Sequence, residues 1–409
     1  MTLVKEVSRC RSCQGELHEV ISLGVHYVSD FLLPSEEGIK APLTLVKCQS
    51  CQLVQLSHTV NPEKMFSHFW YQSSISSTMK EALKNIVDNA LKTTKLNAGD
   101  KVVDIGSNDG TLLDYYPETL YKVGFEPAAN VIGDSYERSH IINDYFTLKA
   151  WRKHFYDAKA KIITSIAMFY DLDEPNAFVD DITEVLADEG TWIVQMNYLP
   201  AMLENNCYDN ITHDHLEYYS LSSLSHLLKR NGLEAYSVER NDVNGGSFRV
   251  YISFGGKRPV EASVYRMLKE EELMKLDTDL PYKSFKDRID SLKSELRRLI
   301  LDKVSHGKVV YAYGAGTRGN TILQYSGLDH TVIKKACDAN PEKYGRVTVG
   351  THIPIISKEQ TRIENPDYFL VLPYHFLDEI EQQESDYLKN GGGLIVPIPR
   401  VRLMSKGGL

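Results

Sequence analysis

Long apolar runs are missing from this 409-residue chain: no stretch approaches the ~20 consecutive apolar residues of a membrane-spanning helix. The opening Met-Thr-Leu-Val-Lys-Glu-Val has no basic stretch followed by an apolar one, so no secretory leader is expected. Positive charge is not in excess. Lys and Arg number 46 against 55 Asp and Glu, a formal net charge of −9, without the concentrated positive face of a nucleic-acid binder. Short repeats and low-complexity tracts are absent, which sets aside fibrous and disordered classes. What is there is ordinary: 42% hydrophobic and 25% charged residues, enough chain for two or three domains with real cores. The expectation is a cytoplasmic globular protein that engages neither membrane nor nucleic acid.

Cysteine is scarce, but its spacing is informative. Four of the six form two Cys-x-x-Cys pairs, Cys10/Cys13 and Cys48/Cys51, with 34 residues between the pairs. Each turn points two thiolates at one centre, and two turns supply four soft ligands for tetrahedral zinc. Four protein ligands leave no open position for water, so a structural zinc is expected rather than a catalytic one. Cys207 and Cys337 read as plain thiols.

Short β-type runs such as Leu43–Lys47 and Leu53–Leu56 accompany the cysteines within residues 1–70. Residues 71–98 read as a helix, with Met79, Leu83, Ile86, Val87 and Leu91 at helical spacing. From there to residue 256 strands and helices alternate, with strands expected at Lys101–Ile105, Tyr121–Phe125, Ala160–Ile166, Thr191–Met196 and Phe248–Phe254. Such alternation implies a mostly parallel sheet covered by helices. Residues 257–306 are a charged helical connector broken near Asp277–Pro281, with Phe285, Ile289, Leu292, Leu296 and Leu299 on one face. A second α/β pattern fills residues 307–409, with strands at Val309–Tyr313, Lys334–Cys337, Tyr368–Leu372 and Gly393–Pro397. The fold class is therefore α/β: two doubly wound domains behind a small zinc module.

In the first α/β domain, Val102-Val-Asp-Ile-Gly-Ser-Asn-Asp-Gly110 is a strand running into a glycine turn that opens a helix. Glycines let backbone approach a ligand where a Cβ would collide, and ligands of such sheets lie at the carboxyl ends of the strands. Asp104 can orient the turn or meet a cationic group, and Glu126 ends the next strand, where a carboxylate can hold ribose hydroxyls. The turn has no Lys for phosphates, which excludes a P-loop. Residues 207–220, Cys-Tyr-Asp-Asn-Ile-Thr-His-Asp-His-Leu-Glu-Tyr-Tyr-Ser, crowd histidines, acids and tyrosines into one segment. Histidine titrates near neutrality and suits a general base, with a neighbouring carboxylate to hold its tautomer. A second metal on His213, His215 and Glu217 is the alternative.

Asp-Ile-Gly-Ser-Asn-Asp-Gly followed by Gly-Phe-Glu-Pro resembles the cofactor turn and second-strand acid of class I S-adenosylmethionine-dependent methyltransferases. That resemblance implies cofactor contacts at Asp104, Gly106, Asn108, Gly110 and Glu126, with Asp144 beside the adenine. Over nearly the whole chain, the order of motifs resembles the three-domain sugar C-methyltransferases that act on nucleotide-linked ketodeoxysugars. These are the double cysteine module, this turn, the His-acid-His segment, Asn244-Gly-Gly-Ser and a second α/β domain. The family's Tyr-His-Glu-His reads Thr212-His213-Asp214-His215 here, which assigns the enolising base to His215 with Asp214 orienting it. Tyr71, in Phe69-Trp-Tyr-Gln, matches a family tyrosine that reaches the active site, and Tyr170 stands where relatives carry a histidine. The resemblance implies substrate contacts at His213, Asn244, Gly246 and Ser247. It gives the C-terminal domain a sugar-nucleotide-binding part, through Gly314, Gly316, Arg318 and Asn320, with Arg318 positioned to take a phosphate. Zinc would only fold the N-terminal module.

One rival comes from the C-terminal domain itself. Val309-Val-Tyr-Ala-Tyr-Gly-Ala-Gly-Thr-Arg-Gly319 with Asp338 beyond it meets the dinucleotide fingerprint, which suggests an NAD-dependent oxidoreductase. No Tyr-x-x-x-Lys dyad follows it. An O- or N-methyltransferase on a sugar nucleotide is the other alternative, since it needs no enolising base. The sequence is silent on oligomeric state.

Overall fold

The alternating runs near the N-terminus become antiparallel strands, Leu17–Tyr27, Lys40–Cys48 and Val54–Leu56, in a computed structural model that describes residues 3–61, 65, 70–134 and 137–405. Phe69 lies outside the described residues. The fourth strand of this sheet comes from far along the chain: Glu217–Tyr218 pairs antiparallel with Val54–Leu56, and the Leu56 N–H donates to the Leu216 carbonyl at 2.8 Å. The histidine-rich segment is thus sewn to the cysteine module by main-chain hydrogen bonds. The module also reaches the other end of the chain, where Phe31–Leu32 pairs with Val347–Thr348.

The middle domain is built on seven strands in the order Leu233–Asn241, Ser247–Phe254, Leu186–Asn197, Ala160–Ile166, Lys101–Ile105, Tyr121–Phe125, His140–Ile142. The last five of these run parallel, and Ser247–Phe254 inserts antiparallel between Leu186–Asn197 and Leu233–Asn241. Val102, Val103 and Ile105 are all buried, as in a strand covered on both faces, with the buried Asp104 the single polar residue among them. His140–Ile142 and Leu233–Asn241 escape the sequence reading. The first has only three residues, and Glu234, Ser237, Glu239 and Arg240 interrupt the second. The expected helix over 71–98 spans Ser77–Thr93. The Ser76 hydroxyl accepts the Met79 N–H as its N-cap, and Met79, Leu83, Ile86, Val87 and Ala90 are its buried stripe.

Six strands form the C-terminal sheet, in the order Ile355–Ser357, Ala336–Asp338, Val310–Tyr313, Tyr368–Val371, Gly393–Val396, Arg402–Ser405. All pair in parallel except the last. Between the two α/β domains lie the helices Ala262–Met274 and Leu280–Ser305, separated at the expected break. Ile300, rather than Leu299, takes the fully buried place on the long helix. Ile21 and Leu45 of the cysteine module, Tyr208 and Leu216 of the middle domain, Phe285 and Ile289 of the long helix and Val310 of the C-terminal sheet share one contiguous core.

Lys47 pins the connector to the module. Its side chain is 1% exposed, and its ammonium donates to the carbonyls of Asp277 and Thr278, both at 2.8 Å, over the Tyr282 ring. Lys47→Met would remove the bonds of this buried ammonium to the connector, and hydrogen bonds to a charged group contribute about 1.5–3 kcal/mol. The expected result is a loss of ~2 kcal/mol in urea unfolding; no change in midpoint would show that water replaces the ammonium freely.

Candidate active site

Each parallel sheet has one place where neighbouring strands send their crossovers to opposite faces, leaving a crevice at the strand carboxyl ends. In the middle sheet it lies between Lys101–Ile105 and Ala160–Ile166, in the C-terminal sheet between Val310–Tyr313 and Tyr368–Val371. Both crevices open into a single cleft of about 1320 Å³, walled by Gly106 and Met168 on one side and Gly314 and Pro373 on the other. Ser29 and Phe31 of the cysteine module close a third side.

On the middle-domain side the glycine turn has the shape its sequence implies. Gly106 has φ +73°, and a Cβ there would come within 3.3 Å of Met168. Glu126 accepts the Asn108 N–H at 2.9 Å and the Ala128 N–H at 2.8 Å, so the acid and the turn form one unit. Burial raises the Glu126 carboxyl while these two donors lower it. Asp104 accepts the Thr164 hydroxyl at 2.6 Å, and burial pushes its carboxyl up to about 8. Asn108 reaches back with its amide to the Tyr71 carbonyl at 3.0 Å and accepts the Ser73 N–H at 3.0 Å, which brings the partly exposed Tyr71 onto the cleft wall. Gly110 turns the chain into the next helix at φ +79°, behind the wall. Asp144 is exposed and outside the lining, its carboxylate accepting the Tyr145 N–H; Tyr145 and Phe146 line the cleft in its place. This turn, acid and crevice fit the cofactor of the methyltransferase fold.

His215 stands across the cleft wall, its ring edge-on to Tyr170 with centroids 4.4 Å apart. Its Nδ1 lies 2.8 Å from the Asn210 carbonyl, and a carbonyl only accepts, so Nδ1 carries the proton and Nε2 the lone pair. Burial holds the imidazole below its ordinary value, against the pull of the Asp214 charge. The expected orienting role of Asp214 is corrected here: the backbone of Asn210 fixes the ring, and Asp214 acts through its charge. Its Oδ1 is buried without a partner, as is that of Asp171 on the same wall. Burial, then the neighbouring Asp214 and Glu217 charges, drive the Asp171 carboxyl well above the usual range. His213 donates Nε2–H to the Ala41 carbonyl at 3.1 Å, and burial pulls it down to about 4. Asp171 and, across the cleft, His375, whose Nδ1 is also buried without a partner, were missed by the sequence reading. Neither sits in a motif; lying beside Tyr170 was the sole signal for Asp171.

The remaining expected residues divide. Gly314, Gly316, Arg318 and Asn244 line the cleft; Gly246, Ser247 and Asn320 do not. Gly246 packs against Ala201, the Ser247 hydroxyl donates to the Val243 carbonyl at 2.8 Å, and Asn320 donates to Ser29 at 2.7 Å. Arg318 is not a free phosphate ligand. Its guanidinium is engaged with Asp209, the Asn244 carbonyl and the Tyr374 hydroxyl. The rival dinucleotide reading also meets an obstacle. Asp338 accepts the Ala315 and Asn340 N–H groups, and the buried Lys343 ammonium sits 3.3 Å from both its oxygens, where ribose hydroxyls would have to bind.

The cysteines meet the requirements of zinc. Their four sulfurs lie within 4.8 Å of one another, with Cys10–Cys51 at 3.5 Å and Cys13–Cys48 at 3.4 Å. Tetrahedral Zn–S bonds of ~2.3 Å set sulfurs about 3.8 Å apart. A Cβ on Gly15 would lie 2.9 Å from the Cys48 sulfur, so only glycine leaves room for the cluster.

A seven-stranded sheet with this inserted antiparallel strand, and a glycine turn bound to its second-strand acid, define a class I S-adenosylmethionine-dependent methyltransferase. Family models match along the chain: a zinc binding domain over residues 10–66, a methyltransferase domain over 75–238 and a C-methyltransferase C-terminal domain over 242–399. The chain is 32% identical to the C-methyltransferase NovU of Streptomyces niveus over 98% of both sequences. It belongs to that C-methyltransferase family. Solved structures similar to it include an S-adenosylmethionine-dependent methyltransferase from Clostridium acetobutylicum (10% identity, 45% of this chain and 94% of that one, TM-score 0.34). The mitomycin 7-O-methyltransferase MmcR is another (15% identity, 44% of this chain and 56% of that one, TM-score 0.34). The second glycine loop thus falls within a domain characteristic of C-methyltransferases.

Metal analysis of the purified chain should return one zinc per polypeptide, and Cys48→Ser should lose it together with thermal stability. Full stability after zinc removal by a chelator would contradict a structural metal.

Proposed function

We propose that the enzyme methylates a ring carbon beside the ketone of a nucleotide-linked sugar, with His215 as the base. The observation that carries this reading is the fixed tautomer of His215. An imidazole neutral at pH 7, with Nδ1–H committed to the Asn210 carbonyl, presents its Nε2 lone pair at the cleft. Methylation of such a saturated ring carbon requires a base, because that carbon becomes nucleophilic only when the proton acidified by the adjacent carbonyl is removed.

S-adenosylmethionine, when bound at the Gly106 turn and Glu126, supplies an electrophilic methyl group. His215 takes the proton from the carbon next to the ketone, and the electron pair left behind delocalises into an enolate oxygen. Tyr170 stays a neutral phenol, since burial first and then the Asp171 and Asp214 charges hold its proton on, and it supplies a donor for that oxygen. Asp214 places negative charge near the imidazolium that forms, which stabilises it. The enolate carbon forms its new C–C bond to the methyl group as the methyl–sulfur bond breaks, so that S-adenosylhomocysteine leaves, and the abstracted proton passes from Nε2 to solvent. Walls drawn from three parts of the chain hold the two reactants in line, the main gain such a site offers. The nucleotide half of the substrate is assigned to the C-terminal wall near Gly314 and Gly316, where a Cβ on Gly316 would meet open space.

His215→Asn should leave S-adenosylhomocysteine binding intact while slowing solvent deuterium exchange at the substrate carbon and methyl transfer by ~10²–10⁴. The wild-type rate should fall as pH drops, with a midpoint below the ordinary imidazole value of ~6.5, because protonation removes the base. A His215→Asn enzyme that still transfers methyl at a near-normal rate points to an O- or N-methyltransferase instead.

A further inference from the structure

The arginine of the second glycine loop has an occupation that its motif does not suggest. Arg318 sits at the start of the helix Thr317–Ser326 in the C-terminal domain, yet two of its three partners, Asp209 and Asn244, belong to the middle domain. Nε and Nη2 hold one oxygen of Asp209 at 2.8 and 2.7 Å, Nη1 donates to the Asn244 carbonyl at 2.7 Å, and Nη2 donates to the Tyr374 hydroxyl at 3.1 Å. The Tyr374 hydroxyl in turn donates to the other oxygen of Asp209 at 3.0 Å. The Asp209 side chain is fully buried, so its charge has no outlet but this pair. Such a pair fixes geometry strongly, because either partner alone would be stranded.

Asp209 is the residue before Asn210. Both belong to the single turn Tyr208–Asn210, and the Asn210 carbonyl accepts His215 Nδ1–H at 2.8 Å and the Tyr218 hydroxyl at 3.2 Å. One residue further on, the Ile211 carbonyl accepts the hydroxyl of Thr321, from the same C-terminal helix as Arg318, at 3.2 Å. The peptide that sets the histidine's tautomer is therefore gripped on both sides by one helix of the other domain. We infer that Arg318 and Tyr374 are positioning residues: the C-terminal domain clamps Asp209 so that the Asn210 carbonyl holds His215 with its Nε2 lone pair toward the cleft. The glycine loop then completes the base of the neighbouring domain, and docking of the two domains is a condition of catalysis. The clamp concerns the tautomer of His215 and rests on the proposed function only where it speaks of catalysis.

Full-length protein labelled with ¹⁵N-histidine separates the possibilities, with the His215 signals assigned by their loss in His215→Gln. Long-range proton–nitrogen spectra of the wild type should show His215 protonated at Nδ1 and bare at Nε2. Tyr374→Phe keeps the ion pair and the ring but removes two hydrogen bonds, those to Arg318 and Asp209, and Arg318→Lys keeps the charge but loses the fork. In both, the His215 signals should shift toward mixed tautomers while S-adenosylhomocysteine still binds. If His215 is the base, kcat should fall ~10²-fold in Arg318→Lys, the scale of a lost general base, with KM for the sugar nucleotide nearly unchanged. An unaltered His215 tautomer in both variants overturns the clamp. A raised KM with unchanged kcat and tautomer would likewise overturn it, making Arg318 a phosphate ligand. A shifted tautomer with undiminished methyl transfer upholds the clamp and removes His215 from the chemistry.

Discussion

The segment from Cys207 to Ser220 is held from three directions, and the cleft depends on that. Glu217–Tyr218 is a strand of the cysteine module's sheet, Asp209 is paired with an arginine of the C-terminal domain, and Leu199 donates its N–H to the Tyr219 carbonyl within the middle domain. Neither a loop on a single domain nor a side chain alone would fix an imidazole this way. The zinc module acts through the same constraint. Arg11, between two of the cysteines, donates to the Leu56 carbonyl at 2.7 Å and pairs with Asp173 at 3.1 Å, two residues beyond Asp171. The cysteine cluster thus holds the module that carries one end of the segment, without approaching the reacting atoms.

Much of the α/β framework was legible because parallel strands buried on both faces are rich in apolar residues, as Val123–Phe125 and Ile162–Ile163 are. The short strands His140–Ile142 and Ile355–Ser357 carry too few residues to show a period, and Arg402–Ser405 is half-buried and polar at both ends. The strand Glu217–Tyr218 was legible to no periodicity argument, since its pairing partner lies about 160 residues earlier, a long-range contact that local pattern does not encode.

The site divides along the same line. Asp104, Gly106, Asn108 and Glu126 sit in one turn and the next strand end, and the structure brings all four to the cleft wall. His215 is singled out by the resemblance within a segment rich in histidines and acids, with the adjacent Asp214 as its expected partner, whereas its ring hydrogen-bonds a main-chain carbonyl five residues away. A backbone acceptor leaves no residue signature. Arg318 illustrates the converse. Its glycine motif suggests an anion, and only the buried Asp209 across the domain boundary shows that the anion is already supplied by the protein. The same holds for Asp338, whose apparent ribose-binding place is filled by Lys343. In both cases a dinucleotide-like loop is kept as a scaffold while its charges are satisfied internally, which is how the C-terminal wall can serve a cleft it shares with another domain.

The most direct measurement is the position of the transferred group. The enzyme would be given S-adenosylmethionine carrying a ¹³C-labelled methyl and a panel of nucleotide-linked ketosugars, and the product examined by carbon NMR. The expected product has a methyl carbon coupled directly to a ring carbon adjacent to the ketone. A label found as an ether or amine methyl, with none on carbon, would contradict it.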